Sequence, residues 1–319
     1  MKNIDRINTQ RLIKKAMSYE ILYEWEDVFS KELGIPLHFE TKLDYYIQRV
    51  PILSSLFRNT RLMFDVQMFP NKHQKVYNVI PQIVDYYFKE GSEYESFIKN
   101  YSHLPVVLLS SKEACDYIVS KTSKIRVEHL ALSISDKYRI TACTSYEKMY
   151  DIVFVGRQNK ILATYIEQYI KDHPSLKYVY RKKEGEGFNY YSNDGVCLGS
   201  FETREEYMSL MKKARIGLYA TPGIDGGEVR TNGFSQVTPR LLEYIACGCH
   251  VIARYRNNSD TDYYELNSIC PNIDTYEDFE KRMDYCLNNT VDMEFYSDYL
   301  AKHYTSVRAK ELREILNHL

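Results

Sequence analysis

The most informative segment of the sequence is TPRLLEYIACGCHVIARY, residues 238–255. Thr238 is a favourable N-cap, and Pro239 follows at the first helical position, where its missing N–H leaves nothing unsatisfied. The spacing predicts a helix over 238–248 that ends near a glycine and leads into an apolar strand over 250–255. Helices that alternate with apolar strands indicate an α/β fold.

The same alternation extends from this stretch over most of the chain. Apolar or alternating segments predict strands over 61–69, 77–84, 105–111, 125–132, 150–156, 176–181, 195–201 and 215–221. Apolar groups at helical spacing predict helices over 20–33, 111–121, 160–173, 203–214, 275–289 and 292–318. We therefore expect two α/β domains with parallel sheets, in which ligands bind beyond the carboxyl ends of the strands. That rule points to the loops after Gly156, Arg181, Gly199 and Thr221.

Composition narrows the class of protein. The 319 residues include 42 basic and 43 acidic side chains, so a nucleic-acid binder held by phosphate contacts is disfavoured. No apolar run approaches the ~20 residues of a membrane helix, and the first residues do not resemble a secretory signal. The 7 cysteines are scattered without a CxxC pair. This usage predicts reduced thiols in the cytoplasm, with no disulfide framework and no zinc site.

The N-terminus of the helix at 238 is a candidate anion site. Free N–H groups at a helix N-terminus attract phosphate, and Gly226, Gly227 and Gly233 in the preceding loop allow close backbone approach. Arg240 lies in the first turn, and Glu243 is on the same face, where an acid could reach ribose hydroxyls. The alternative is an ordinary capped helix on which Arg240 and Glu243 form a solvated pair.

A second candidate is DIVFVGRQNK, residues 151–160. Arg157 and Lys160 stand at the carboxyl end of an apolar strand, where two cations would suit a diphosphate and the charge that develops on a leaving group. Gly156 frees the backbone beside them. The alternative is a pair of surface cations in a loop.

These two segments, in this order, carry a resemblance to the donor domain of glycosyltransferases with the GT-B fold. The stretches that support it are VFVGRQNK (153–160), GVCLGSFETREEYMSLMKKARIGLYAT (195–221), TPRLLEYIACGCHVIA (238–253) and YLAKHYTSVRAKELREIL (299–316). Residues 105–137 resemble the end of the acceptor domain. The resemblance implies two Rossmann-like domains: an acceptor-side domain over 1–145, which could be reduced, and a donor domain over 146–290. Helices over 291–319 would cross back to the first domain.

The resemblance also assigns roles to residues of the donor domain. Arg157 would contact the donor diphosphate, with Lys160 a weaker candidate and Arg240 an additional phosphate partner. The amides around Val237 and Thr238 would hold the phosphates, and Glu243 would bind the ribose. Ser200 and Phe201 would lie near the base. Ser235 stands where many relatives have a glutamate that contacts the transferred sugar.

The N-terminal half offers weaker signals. The first residues are charged and are interpreted as helical, so Lys2, Arg6, Arg11, Lys14 and Lys15 could form a face that touches anionic lipid; a solvated helix is the alternative. An inverting enzyme would need a general base, for which His38, His73, His103 and His129 are candidates. His129 is interpreted as structural because it lies in a predicted strand. A retaining enzyme of this fold would not require a base from the protein.

The predicted function is glycosyl transfer from a nucleotide-diphosphate sugar to a hydroxyl of a glycan or glycolipid acceptor. The resemblance implies synthesis of a bacterial surface polysaccharide or glycoconjugate, in the cytoplasm or peripherally on the inner face of the membrane. We expect no cofactor and no metal, because cations and a helix dipole would replace the metal. Two alternatives stay open: a sugar-nucleotide epimerase of the same fold, and a non-catalytic nucleotide-sugar-binding subunit. The donor sugar, base, acceptor, anomeric outcome and oligomeric state are not indicated.

Overall fold

Two parallel-dominated sheets organise the computed structural model, which describes residues 4–47, 60–69, 72, 76–185 and 187–319. The strands are β1 (Ile4–Thr9), β2 (Leu37–Phe39), β3 (Thr60–Gln67), β4 (Val79–Asp85), β5 (Val107–Leu109), β6 (Val127–His129), β7 (Tyr150–Val153), β8 (Tyr178–Glu184), β9 (Gly187–Ser192), β10 (Cys197–Gly199), β11 (Ala214–Ala220) and β12 (His250–Arg254).

The helices alternate with these strands. They are α1 (Glu20–Leu33), α2 (Lys42–Ile47), α3 (Gly91–Tyr101), α4 (Lys112–Lys121), α5 (Lys160–Asp172), α6 (Arg204–Lys212), α7 (Pro239–Ala246), α8 (Ser259–Tyr263), α9 (Leu266–Ile269), α10 (Tyr276–Asn288), α11 (Met293–Ala301) and α12 (Thr305–Asn317). The chain divides into a first unit of residues 1–137, 230–234 and 303–319, and a second unit of residues 138–229 and 235–302.

The first unit is built on a parallel sheet in the order β2-β1-β3-β4-β5-β6. Its strands bury both faces, because successive side chains point to opposite sides of a sheet. Val107 and Leu109 belong to one apolar cluster, whereas Val106 and Leu108 belong to another that also contains Leu312 of α12. The closing helix is therefore part of the core of the first unit.

The second unit has the strand order β10-β9-β8-β7-β11-β12. Strands β8, β7, β11 and β12 are parallel, and β9 and β10 continue the sheet in the antiparallel sense. The parallel part follows the predicted alternation. The hairpin of β8 and β9 was not predicted, because its sequence, RKKEGEGFNYYS over 181–192, is too polar to read as a buried strand pair.

Local signals place α1 where the sequence predicts it. The helix spans Glu20–Leu33 and ends at Gly34, which adopts φ +69° and donates its N–H to the carbonyl of Ser30. A left-handed residue at a helix C-terminus favours glycine. The predicted cap is confirmed.

The prediction of a helical N-terminus is wrong. Residues 4–9 form β1, which pairs with β2 on one side and β3 on the other, and Ile7 and Thr9 are fully buried. Arg11 does not lie on a basic helical face, because it forms ion pairs with Glu26 at 3.2 Å and Asp27 at 2.7 Å. Lys2 lies outside the described residues. The proposed lipid-binding face of this segment therefore does not exist as a helix.

Candidate functional site

The two segments singled out in the sequence meet in the second unit. Gly156, after β7, adopts φ +67°, and a Cβ built on it would lie 1.9 Å from Nη2 of Arg240. The guanidinium of Arg240 therefore packs directly against the backbone of Gly156, in space that only a glycine leaves open. Nη1 of Arg240 also lies 3.5 Å from the carbonyl oxygen of Arg157.

A third arginine completes an arginine cluster, defined here as Arg157, Arg181 and Arg240. Arg181, on β8, lies 4.3 Å from the ring centroid of Phe188. Burial lowers the pKa of Arg181, and the positive charges of Arg240 and Arg157 lower it further. Nε of Arg240 is buried and has no hydrogen-bond partner among the described residues. Cations held this close together favour binding of an anion.

Arg157 is engaged by a carboxylate of the glycine-rich loop. Its Nη1 forms an ion pair with Oε2 of Glu228, although 63% of the Arg157 side chain is exposed. The same loop is held at a second point, where Asp225 accepts from Nε and Nη2 of Arg254 at 2.6 and 2.9 Å. Nδ2 of Asn159 also donates to Asp225 at 2.9 Å. The loop therefore presents Glu228 at the place where the sequence predicts a phosphate.

The N-terminus of α7 differs from the prediction. Thr238 is the N-cap, but its side chain makes no capping hydrogen bond. Its N–H donates to the hydroxyl of Tyr219 at 2.9 Å, and Val237 is buried. Pro239 has no N–H to offer. The amide of Thr238 is thus already satisfied within the protein. The phosphate role of the amides around Val237 and Thr238 stays a prediction, and for Thr238 it requires that the hydrogen bond to Tyr219 be exchanged for one to the ligand.

Glu243 is held in a buried ion pair. Only 4% of the residue is exposed, and its Oε1 lies 2.6 Å from Nη1 of Arg204, which is buried as well. The alternative of a solvated pair between Glu243 and Arg240 is therefore wrong. The ribose role stays a prediction, and it requires Glu243 to share its carboxylate between Arg204 and the ligand.

Two carboxylates near the arginine cluster are engaged by arginines. Glu228 pairs with Arg157, and Glu243 pairs with the buried Arg204. Arg181 and Arg240 lie close enough for the charge of Arg240 to lower the pKa of Arg181. A cluster of cations held in this way favours an anionic ligand such as a diphosphate ester.

The remaining predicted residues lie at different distances from this cluster. Phe201 packs against Tyr190 with 4.7 Å between ring centroids and the ring planes tilted by 41°, and Tyr190 in turn contacts the backbone of Gly156. Ser200 is exposed beside Phe201. Lys160 is the first residue of α5 and is exposed, and no described contact joins it to the arginines.

Two residues of the site were missed in the sequence. The carboxyl-end rule pointed to the loop after Arg181 but not to its side chain, whose position depends on the unpredicted hairpin. Glu228 carries no local signal, because its partner Arg157 is 71 residues away. Ser235, at the position of the relatives' glutamate, is buried and hydrogen-bonded to Thr221 at 2.6 Å between hydroxyl oxygens.

Three of the four histidines considered as a general base, His38, His103 and His129, lie among the described residues of the first unit. His129 lies on β6, where its Nε2 is 3.3 Å from the carbonyl of Ser110 and burial lowers its pKa to about 4. This environment supports the interpretation of His129 as structural. Nε2 of His103 lies 2.8 Å from the carbonyl of Val76. His73 lies outside the described residues.

Three general features complete the description. All 7 cysteines are free thiols, as predicted. In the described ranges, no group of three or more His, Cys, Asp or Glu side chains is arranged to hold a metal ion. No helix of the described chain is long and apolar enough to cross a membrane.

Comparisons with known proteins agree with this architecture. Residues 170–314 match the sequence model of the family described as "Glycosyl transferase-like". Among solved structures, AviGT4, a glycosyltransferase involved in avilamycin A biosynthesis, is similar with a TM-score of 0.55 and 10% sequence identity, over 97% of this chain and 96% of that one.

A second solved structure is similar over almost the whole chain. An alpha-glucosyltransferase in complex with UDP-glucose and DNA containing an abasic site has a TM-score of 0.54 and 13% identity, over 98% of each chain. No curated protein sequence matches. The chain has the GT-B fold, and its resemblance to GT-B glycosyltransferases is confirmed.

Proposed function

We propose that this protein transfers a sugar from a nucleoside-diphosphate donor to a hydroxyl group of an acceptor. The observation that carries the proposal is the arginine cluster, in which the guanidinium of Arg240 packs on the backbone of Gly156 and the charges of Arg157 and Arg240 act on Arg181. The family match over 170–314 supports the same reaction class, and a similar fold binds UDP-glucose in the alpha-glucosyltransferase.

The cluster suits the charge that develops during transfer. When the bond between the sugar and the donor phosphate breaks, negative charge grows on the departing diphosphate. Guanidinium groups that are already fixed and partly desolvated stabilise this charge without reorganising. Arg240 is fixed by Gly156, and Arg181 is fixed by Phe188. Arg157, the most exposed of the three, would exchange Glu228 for a donor phosphate.

We further propose that the transfer needs neither a metal nor another cofactor, because the arginines supply the charge that a divalent cation would otherwise supply. A chelator should therefore leave transfer unchanged, and loss of activity that magnesium restores would contradict this part of the proposal. The setting in cytoplasmic synthesis of a surface polysaccharide or glycoconjugate rests on the resemblance alone.

The first experiment is a panel of nucleoside diphosphates in a thermal-shift assay, followed by calorimetry on the tightest ligand. A ligand that binds only the folded state raises its apparent stability. Turnover of a radiolabelled donor, with and without acceptors, then separates the candidate functions. An epimerase would change the sugar without an acceptor, and a binding subunit would be stabilised without turnover.

The matching variants are Arg157→Ala and Arg181→Ala, with Arg215→Ala as the control. Arg215 is an exposed arginine near the amino-terminal end of β11, whereas Arg157 follows the carboxyl end of β7. Loss of Arg157 or Arg181 should lower kcat/KM by roughly 10²-fold, as removal of a charge-stabilising donor does. Equal kinetics for the three variants would remove the cluster from the mechanism.

A further inference from the structure

The first unit contains a large cavity at the carboxyl edge of its parallel sheet. Its volume is about 820 Å³, and it is bordered by Gln10, directly after β1, and by Gln67, the last residue of β3. Ligands of parallel α/β sheets bind at this edge. All of its described lining residues belong to the first unit.

Two polar lining residues of the cavity are held in place. Gln10 donates from Nε2 to the buried carboxylate of Glu40 at 3.2 Å. Asp65, also buried, forms an ion pair with Lys72. These contacts fix the positions of Gln10 and Asp65.

The cavity has apolar walls, of which Tyr46 and Phe69 are exposed and Phe64 is buried. Phe64 and Val66 of β3 line the cavity together with Phe69 and with Tyr46 of α2. Tyr46 is 68% exposed and Phe69 is 50% exposed, and Leu43, one turn before Tyr46 on α2, is 66% exposed. Exposed apolar groups gathered at one place mark a binding surface.

The lining is also positively charged. Among the described lining residues, three lysines, Lys14, Lys42 and Lys72, face a single acid, Asp65. Lys72 forms an ion pair with Asp65, so among these lining residues Lys14 and Lys42 supply two positive charges in excess. Lys14 is one of the basic residues assigned above to an N-terminal helix, and the structure instead places it at this cavity.

We propose that this cavity binds an anionic amphiphile, with Lys14 and Lys42 neutralising its headgroup and Tyr46, Phe64 and Phe69 covering its apolar chain. That the amphiphile is the acceptor of sugar transfer rests on the proposed function. An acidic sugar fits less well, because it has no apolar chain to cover the exposed side chains of Tyr46 and Phe69.

Calorimetry on the full chain tests this assignment, with dodecyl phosphate as the probe below its micelle concentration. Three comparison ligands are titrated in the same way. Inorganic phosphate tests the anion alone, glucuronate tests an acidic sugar, and dodecyl maltoside tests the apolar chain alone. Dodecyl phosphate should bind at least about tenfold more tightly than each of the three, because only it uses both charge and apolar contact. Equal affinity for any one of them would overturn the proposal.

Variants of exposed residues locate the binding. Lys14→Glu with Lys42→Glu should weaken dodecyl phosphate binding by about fivefold or more per lysine. Lys121→Glu with Lys124→Glu makes the same charge change on exposed lysines of the first unit outside this cavity and should leave binding unchanged. Leu43→Ser with Tyr46→Ser should weaken binding of the dodecyl compound only. If the control pair weakens binding as much as the first pair, the cavity is not the site.

The outcome can be separated from that of the proposed function. Uridine diphosphate binding, measured on the same preparations, reports on the second unit. Nucleotide binding without dodecyl phosphate binding would refute the amphiphile proposal and leave the proposal of glycosyl transfer unaffected. The reverse result would support the cavity and argue against the nucleotide site.

Discussion

Removal of the Glu228 carboxylate should strengthen nucleotide binding. In the structure, Glu228 occupies Arg157, so a donor diphosphate must displace it before it can use that guanidinium. Glu228→Gln keeps the shape of the side chain and removes its charge. Because Arg157 is 63% exposed, the ion pair is screened by water and is worth at most about 1 kcal/mol. The variant should therefore bind nucleoside diphosphate up to about fivefold more tightly.

The assay is isothermal titration of uridine diphosphate into wild-type protein, the Glu228→Gln variant and a matched control, Glu294→Gln. Glu294 is an exposed glutamate on α11 of the same unit. A double-mutant cycle adds the decisive comparison: in an Arg157→Ala background, Glu228→Gln should have no further effect. The reasoning is refuted if Glu228→Gln binds nucleotide more weakly than wild type, or if the gain persists without Arg157.

Three further predictions concern the same fold. Gly156→Ala forces a Cβ into the guanidinium of Arg240 and should lower nucleotide affinity. Its control is Gly34→Ala, which has a similar φ but open space around its Cβ and should lower only the stability, by about 1–3 kcal/mol in urea unfolding. Equal nucleotide affinity in the two variants would contradict the contact between Gly156 and Arg240. Glu243→Ala removes the carboxylate that pairs with the buried Arg204 and should cost about 3–5 kcal/mol in the same assay. Unchanged nucleotide affinity of the folded variant would reject the ribose role. Burial raises the pKa of Glu26 from 4.5 to about 7, so the folded state retains a proton that the unfolded chain releases. The contribution of the Glu26 side chain to the free energy of unfolding is therefore full below pH 4.5. It declines by on the order of 3 kcal/mol as the pH rises through 7. In Glu26→Gln this part of the pH dependence should vanish from urea unfolding curves, and an unchanged slope would contradict the raised pKa.

Where a structural element depends on neighbours in the sequence, it could be predicted. The bounds of α1 follow from apolar spacing and from Gly34, whose left-handed conformation ends the helix. The start of α7 follows from Thr238 and Pro239. The meeting of Gly156 with Arg240 could be anticipated as well, because parallel strands bring the loops at their carboxyl ends to one edge of the sheet.

Where an element depends on distant partners, the sequence was misleading. The segment IDRINT, residues 4–9, contains charges that suggest a solvated helix, yet β2 and β3 pair with it on both sides and make it an inner strand. No local pattern contains that information, because the paired strands are supplied by residues 37–39 and 60–63.

The site shows the same division. The two segments of the candidate anion site could be picked out in the sequence, since glycine, arginine and a proline-initiated helix are local signals. The pairing of the charges became visible only in the folded protein: Glu228 with Arg157, Glu243 with Arg204, and Arg181 beside both Arg157 and Arg240. Ion pairs depend on distances of a few ångströms between side chains, and these distances exist only once the sheet and its loops have been assembled.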